Sequence, residues 1–260
     1  MEEFGRRLLL SVDAEGYGLA DELTQREFQN AIPRLVGEVA EAARLDRRQW
    51  KTQEGGDSLF AVLPTDTSEP VLVDAFMRGL DTALRTFNHN RKREAWLRLR
   101  AAVHFGPASP GGNGYVGGAP VELTRIRDCA AMRTALAQLP DACLAVGASD
   151  RVFVDVVKAA RTNVRADEFR HVRIEQTEKG YRGEAWIWVP GADVRPLDLG
   201  DEPDAAPGEA ESASGPGGQE KGQADGGVVR DTYRMDVAPG GGGAMGPGAS
   251  STVNNVYGGG

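Results

Sequence analysis

Leu8-Leu9-Leu10-Ser11-Val12-Asp13-Ala14-Glu15-Gly16-Tyr17-Gly18 is the stretch on which the reading of this chain turns. A near-continuous apolar run that ends on a carboxylate and then on small residues is the pattern of a buried strand, here over residues 7–13, delivering its last side chain to a turn. Residues 23–45 follow with Phe28, Ile32, Leu35, Val36, Val39 and Ala43 at helical spacing, and Pro33 inside them predicts a kink or a late helix start. Short strand-like runs at 50–53 and 58–63 flank Glu54-Gly55-Gly56-Asp57, a hairpin-type turn.

Working outward, the pattern predicts a helix over 71–87, a strand over 97–105, a glycine-rich loop over 106–118 and a helix over 121–139 stopped by Pro140. A strand over 143–148, a helix over 150–160 and a hairpin of 169–176 with 184–189 complete it. The order βαββαβ, extended by αβ and a hairpin, predicts an α+β fold of ferredoxin-like, palm type over residues 1–195: an antiparallel sheet with helices packed on one face. Of the 34 glycines, 16 fall in the last 60 residues, where almost no aliphatic pattern remains. Residues 196–260 are therefore expected to be a disordered Gly/Pro/acidic tail, because such a composition buries too little apolar surface to offset chain entropy.

The formal charge of −8 argues against a broad grip on nucleic acid. An anionic nucleotide then needs a local device such as a metal ion. The two cysteines, Cys129 and Cys143, lack metal-site spacing, which argues against structural zinc and fits a reducing compartment. No apolar run approaches the roughly 20 residues of a membrane span, and the amino-terminal run is too short for a secretion signal. The expected location is the cytoplasm, without a membrane partner.

In a βαββ unit the first and third strands are neighbours. Asp13 at the end of the first strand and Asp57 in the turn before the third then share one sheet edge, where two carboxylates can hold a hard divalent cation. Gly16 and the residues around it offer backbone N–H groups to phosphate. The plain alternatives are an aspartate that caps a strand end and a Gly-Gly-Asp that is only a turn. His104, in a half-buried strand, reads as structural, and Arg91-Lys92-Arg93 as a solvated loop.

Three segments together resemble the class III adenylate and guanylate cyclases. Residues 10–17 are similar to that family's first metal-aspartate motif, and Gly56-Asp57-Ser58-Leu59-Phe60-Ala61 to its second, at the family's interval. Arg100-Ala101-Ala102-Val103-His104-Phe105-Gly106-Pro107, with Gly117-Gly118-Ala119-Pro120-Val121-Glu122-Leu123, is similar to the strand, loop and helix that carry its transition-state residues. The likeness spans residues 6–190. It implies a head-to-tail homodimer with active sites at the interface. There Asp13 and Asp57 hold Mg²⁺ or Mn²⁺, Gly16 and Tyr17 lie beside the triphosphate, and a ribose 3′-hydroxyl attacks the α-phosphate of a nucleoside triphosphate.

Elsewhere the chain departs from that pattern. Gln53 stands at the purine-reading lysine position, with Lys51 two residues earlier on the same strand face, and Tyr115 stands at its partner position. Glu122 replaces the ribose-orienting asparagine. Arg125 falls one residue short of the transition-state arginine and Arg127 one beyond. These departures keep a pyrimidine product open, as in relatives from phage-defence systems. The diguanylate cyclases are a close second likeness, through Gly55-Gly56-Asp57. In the tail, residues 251–260 resemble the start of short amyloid-signalling motifs of actinobacterial conflict-system proteins, which implies self-association or recruitment of a protein partner. Two function classes follow: a cyclase making a cyclic nucleotide, with Asp13, Asp57, Glu122 and Arg125 at work, or a degenerate cyclase-like module that binds nucleotide or protein.

Overall fold

The computed structural model describes residues 5–112, 114–176 and 181–200. Residues 201–260, most of the expected tail together with its 251–260 motif, lie outside them. Strand β1 (Gly5–Ala14) leads into α1 (Glu22–Ala42), then the hairpin β2 (Lys51–Gly55) and β3 (Ser58–Val62). The short α2 (Glu69–Val71) runs through a π-helical turn, Leu72–Phe76, into α3 (Met77–Asn88). Next come β4 (Leu99–Gly111), β5 (Gly114–Val116), α4 (Gly118–Arg127), α5 (Ala130–Gln138) and β6 (Leu144–Ser149). The short α6 (Asp150–Val152) continues as a π turn, and β7 (Arg170–Gln176) and β8 (Tyr181–Trp188) close the domain.

The fold is α+β. Its sheet runs β2-β3-β1-β4-β6-β8-β7, with β5 folded back on β4. Pairing is antiparallel except between β4 and β6. β1 sits between β3 and β4, so Asp13 faces Ser58 on one side and Arg100 on the other.

Helices cover both faces of this sheet, not one. Leu8, Leu10 and Val12 of β1 pack with Phe28, Ile32 and Val36 of α1 and Leu80 and Leu84 of α3. Leu9 points the other way, into a second core with Leu123 and Ile126 of α4 and Met132 and Leu136 of α5. The reason is local: successive strand side chains alternate faces, so three consecutive leucines need cover on both sides.

Helix α1 begins at Glu22 rather than after Pro33, with Asp21 as its cap, the carboxylate accepting from Thr24 N at 2.8 Å. Apolar contacts on both sides of Pro33, from Phe28 and Ile32 to Leu35 and Val36, offset the hydrogen bond that proline removes. The region expected as a glycine-rich loop is instead the long end of β4 and its hairpin with β5. The helix expected over 121–139 is two helices. Cys129 is extended between them, which lets Ile126 and Met132 both reach the sheet. No helix among the described residues is long and apolar enough to cross a membrane.

Candidate functional site

Strand pairing builds the site. Ala14 N donates to Asp57 O at 3.0 Å, tying the end of β1 to the turn before β3 and setting Asp13 and Asp57 side by side. Gly16, at φ 71°, turns the chain into a short 3₁₀ turn, Tyr17–Leu19, and the space where a Cβ would stand is open. The Tyr17 hydroxyl accepts from Gln29 Nε2 of α1, which fixes this loop above the helix.

Asp13 is buried, and Arg100 Nη2 from β4 donates to its Oδ2. Arg100 is equally buried, and its Nε lies 3.2 Å from Glu15 Oε2. From the helix side, Arg127 of α4 donates from Nη1 to Ser11 Oγ at 3.0 Å and grips Asp128 with Nε and Nη2, both at 2.8 Å. Burial pushes the Asp13 carboxyl up from its ordinary value; Arg127 and Arg100 oppose this and Asp57 adds to it. Burial also works against the charge of Arg127, but Asp128, then Asp13 and Asp57, outweigh it and hold the guanidinium above its ordinary value. The edge is therefore a charge network of carboxylates and two largely desolvated arginines, strong because little water screens it.

The donor chemistry fits a hard divalent cation. Two carboxylates on one edge are what such an ion takes from protein when water and phosphate oxygens supply the rest. No group of three or more His, Cys, Asp and Glu side chains among the described residues forms a metal cage by itself.

The other candidate residues lie apart from this edge. Lys51 and Tyr115 line a cleft of about 540 Å³ with Arg7, Gln49, Asp66 and Pro110, at the end of β2 away from Asp57. Gln53, two residues along β2 from Lys51, packs its amide against Gly114 of β5, where any Cβ would fall 2.1 Å from Gln53 Nε2. Tyr115 is in turn held 6.1 Å from Phe60, ring to ring. Glu122 faces His104, 3.7 Å from Nδ1. Burial lowers the His104 pKa, Glu122 pulls it back up and Arg151 lowers it again. Arg125 lies over the ring of Tyr181, 3.8 Å from its centroid. Of the two helix arginines flanking the expected position, Arg127 is the one that feels Asp13 and Asp57.

Arg100 and Ser11 were not singled out from the sequence. The signal was available in outline: an arginine in a strand otherwise made of Leu99, Ala101, Ala102 and Val103 must be buried, and a buried guanidinium demands a carboxylate.

No protein-family profile matches the chain, and no curated protein matches it. Solved structures do. An adenylate/guanylate cyclase/hydrolase from Silicibacter pomeroyi superposes with a TM-score of 0.53 at 16% identity, over 73% of this chain and 99% of that one. The guanylate cyclase domain of RhGC from Catenaria anguillulae, solved in complex with GTP, gives 0.49 at 14% identity, over 73% and 98%. At such identities the likeness is one of fold.

Proposed function

We propose that this domain is a metal-dependent nucleotide cyclase, converting a nucleoside triphosphate to a 3′,5′-cyclic nucleotide and pyrophosphate. The observation that carries the reading is the pairing of Asp13 and Asp57 at one edge of a palm-type sheet, with the Arg127 guanidinium beside them. A divalent cation such as Mg²⁺ or Mn²⁺ held there supplies Lewis-acid stabilisation of the phosphate oxygens and lowers the pKa of the attacking hydroxyl. The chain's own groups do the rest. Asp13 and Asp57 hold negative charge where the 3′-oxygen loses its proton. The backbone around Gly16 and Tyr17 is open to phosphate. Arg127 offsets charge as the bond from the α-phosphorus to the bridging oxygen breaks and pyrophosphate leaves.

The base is read from the second copy in a head-to-tail homodimer, through Gln53, Lys51 and Tyr115. The distance of the Lys51–Tyr115 cleft from the Asp13 edge within one chain supports this division. Glu122 and Arg125 act from the same second copy. Production of a cyclic nucleotide as a signal in defence against phage, in the cytoplasm, with the tail recruiting a protein partner, is the cellular setting we attach to it. The domain boundary belongs near residue 200, a few residues past the expected 195, because Leu197 and Leu199 are buried in the second core; the remainder is a tail.

A second reading is favoured by one specific observation. Glu122 and Arg125 are engaged with His104 and Tyr181, and a carboxylate stands where an amide is expected. A degenerate domain that binds nucleotide without turning it over would look like this. One experiment separates the two: purified full chain with each nucleoside triphosphate and Mn²⁺, products read by mass spectrometry. A cyclic product lost in Asp13→Asn and Asp57→Asn is the expected result. No product with any of the four nucleotides, alongside retained binding, selects the second reading.

A further inference from the structure

Arg100 and Glu15 have a relationship to the carboxylate pair that the cyclase reading leaves unused. Arg100 is nine-tenths buried, yet only one of its nitrogens is well satisfied: Nη2 on Asp13. Nη1 is buried with no hydrogen-bond partner among the described residues. Nε comes within 3.2 Å of Glu15 Oε2, but out of line for a hydrogen bond. Glu15 is nearly a third exposed and is anchored through its backbone, its N donating to Arg98 O at 2.8 Å. One guanidinium thus stands between two carboxylates, bonded to the first and poised short of the second.

We propose that Arg100 is a built-in counter-ion for Asp13 that a divalent cation must displace, with Glu15 as the carboxylate that receives the displaced guanidinium. The inference rests on the metal reading of Asp13 and Asp57. Its physical basis is charge. A carboxylate oxygen that accepts from a desolvated guanidinium cannot also take a cation without a close like-charge contact, which a low-dielectric site penalises heavily. The guanidinium need not go into solvent, because a small rotation toward Glu15 aligns Nε with Oε2. Cation binding and the Arg100 shift are then one equilibrium, and each residue contributes to the cation affinity without touching the cation.

The test uses Mn²⁺ alone, with no nucleotide, and reads free Mn²⁺ by electron paramagnetic resonance. Arg100→Met removes the competitor, and Mn²⁺ should bind about tenfold tighter, the order of one charge-assisted hydrogen bond. Glu15→Gln removes the receiver, and binding should weaken severalfold. In the Arg100→Met background Glu15→Gln should have no effect, because Glu15 acts only through Arg100. Unchanged or weaker binding in Arg100→Met overturns the proposal, as does an equal loss from Glu15→Gln in both backgrounds, which would make Glu15 a ligand. A measurement on the unaltered chain needs no buried substitution: the Arg100 Nε–H signal should move as Mg²⁺ is titrated. Mg²⁺ binding that leaves that signal in place refutes the exchange. Tighter Mn²⁺ binding without any cyclic product would leave this inference standing and sink the cyclase reading alone.

Discussion

Arg127 of α4 donates to the Ser11 hydroxyl of β1 at 3.0 Å, and that bond carries a helix side chain to the carboxylate edge. Arg125, two residues earlier, is turned to Tyr181. Positions two apart on a helix point about 200° apart, so the two arginines cannot share one task within one chain. Arg127→Ala should weaken binding of the Mn²⁺ complex of a triphosphate about tenfold, with Arg127→Lys recovering part of it. Arg125→Ala should leave that binding by isolated chains unchanged and cost about 0.5–1 kcal/mol of stability through the lost cation–π contact. Titration calorimetry and urea melts check both.

His104 makes stability depend on pH in a definite direction. Its folded-state pKa is lowered, chiefly by burial. The unfolded chain then takes up a proton that the folded chain does not, as pH falls below about 6.5. The stability due to the neutral imidazole is full above that value and is lost as pH falls toward the folded pKa. Between about pH 7.5 and about pH 5.5, His104→Gln should lose less stability than the unaltered chain in urea unfolding. Glu122→Gln should steepen the loss, because the carboxylate is what pulls the imidazole pKa back up. An identical slope in all three chains would remove His104 from the account.

Gly147 lies in β6 under α4 and α5. A Cβ there would come 2.7 Å from Ile126 Cγ2 and 3.4 Å from Met132 Sδ. Gly147→Ala should therefore destabilise by about 1–3 kcal/mol, as overpacking in a filled core does. Adding Ile126→Leu removes the β-branch methyl at the contact while keeping the side-chain volume, and should recover part of the loss, a coupling readable in a double-mutant cycle.

The end of the domain is set by residues beyond the strand pattern. Leu197 and Leu199 are buried in the second core, and Gln138 of α5 donates to Asp198 O at 2.7 Å. A chain ending at residue 195 should be about 3 kcal/mol less stable than one ending at residue 200, since it lacks the two leucines that pack into the second core. Equal melting midpoints would show that these leucines contribute nothing.

Much of the fold was legible because it depends on short-range pattern. The apolar run from Leu8 that ends on Asp13 and the turn at Gly55-Gly56 both follow from nearest neighbours, and the adjacency of β1 and β3 follows from the βαββ order. The break between α4 and α5 was not legible. Residues 121–139 hold helical spacing throughout, and only the need for Ile126 and Met132 both to meet the sheet turns Cys129 extended. Helices were expected on one face only; the three adjacent leucines need cover on both, and which helices supply it depends on connections too long for local pattern to report.

By itself the sequence determined that a carboxylate ends the first strand and another occupies the following hairpin turn, because strand alternation and turn chemistry are properties of neighbouring residues. Only the tertiary structure decided what surrounds them. Arg100 meets Asp13 across 87 residues because the β1–β4 register sets those two positions opposite each other. Arg127 reaches Ser11 across 116 residues because α4 ends where it does. Arg127's grip on Asp128 is local, but its reach to Ser11, the Arg100–Asp13 bond and the excluded water around both arginines are not encoded near them in the chain.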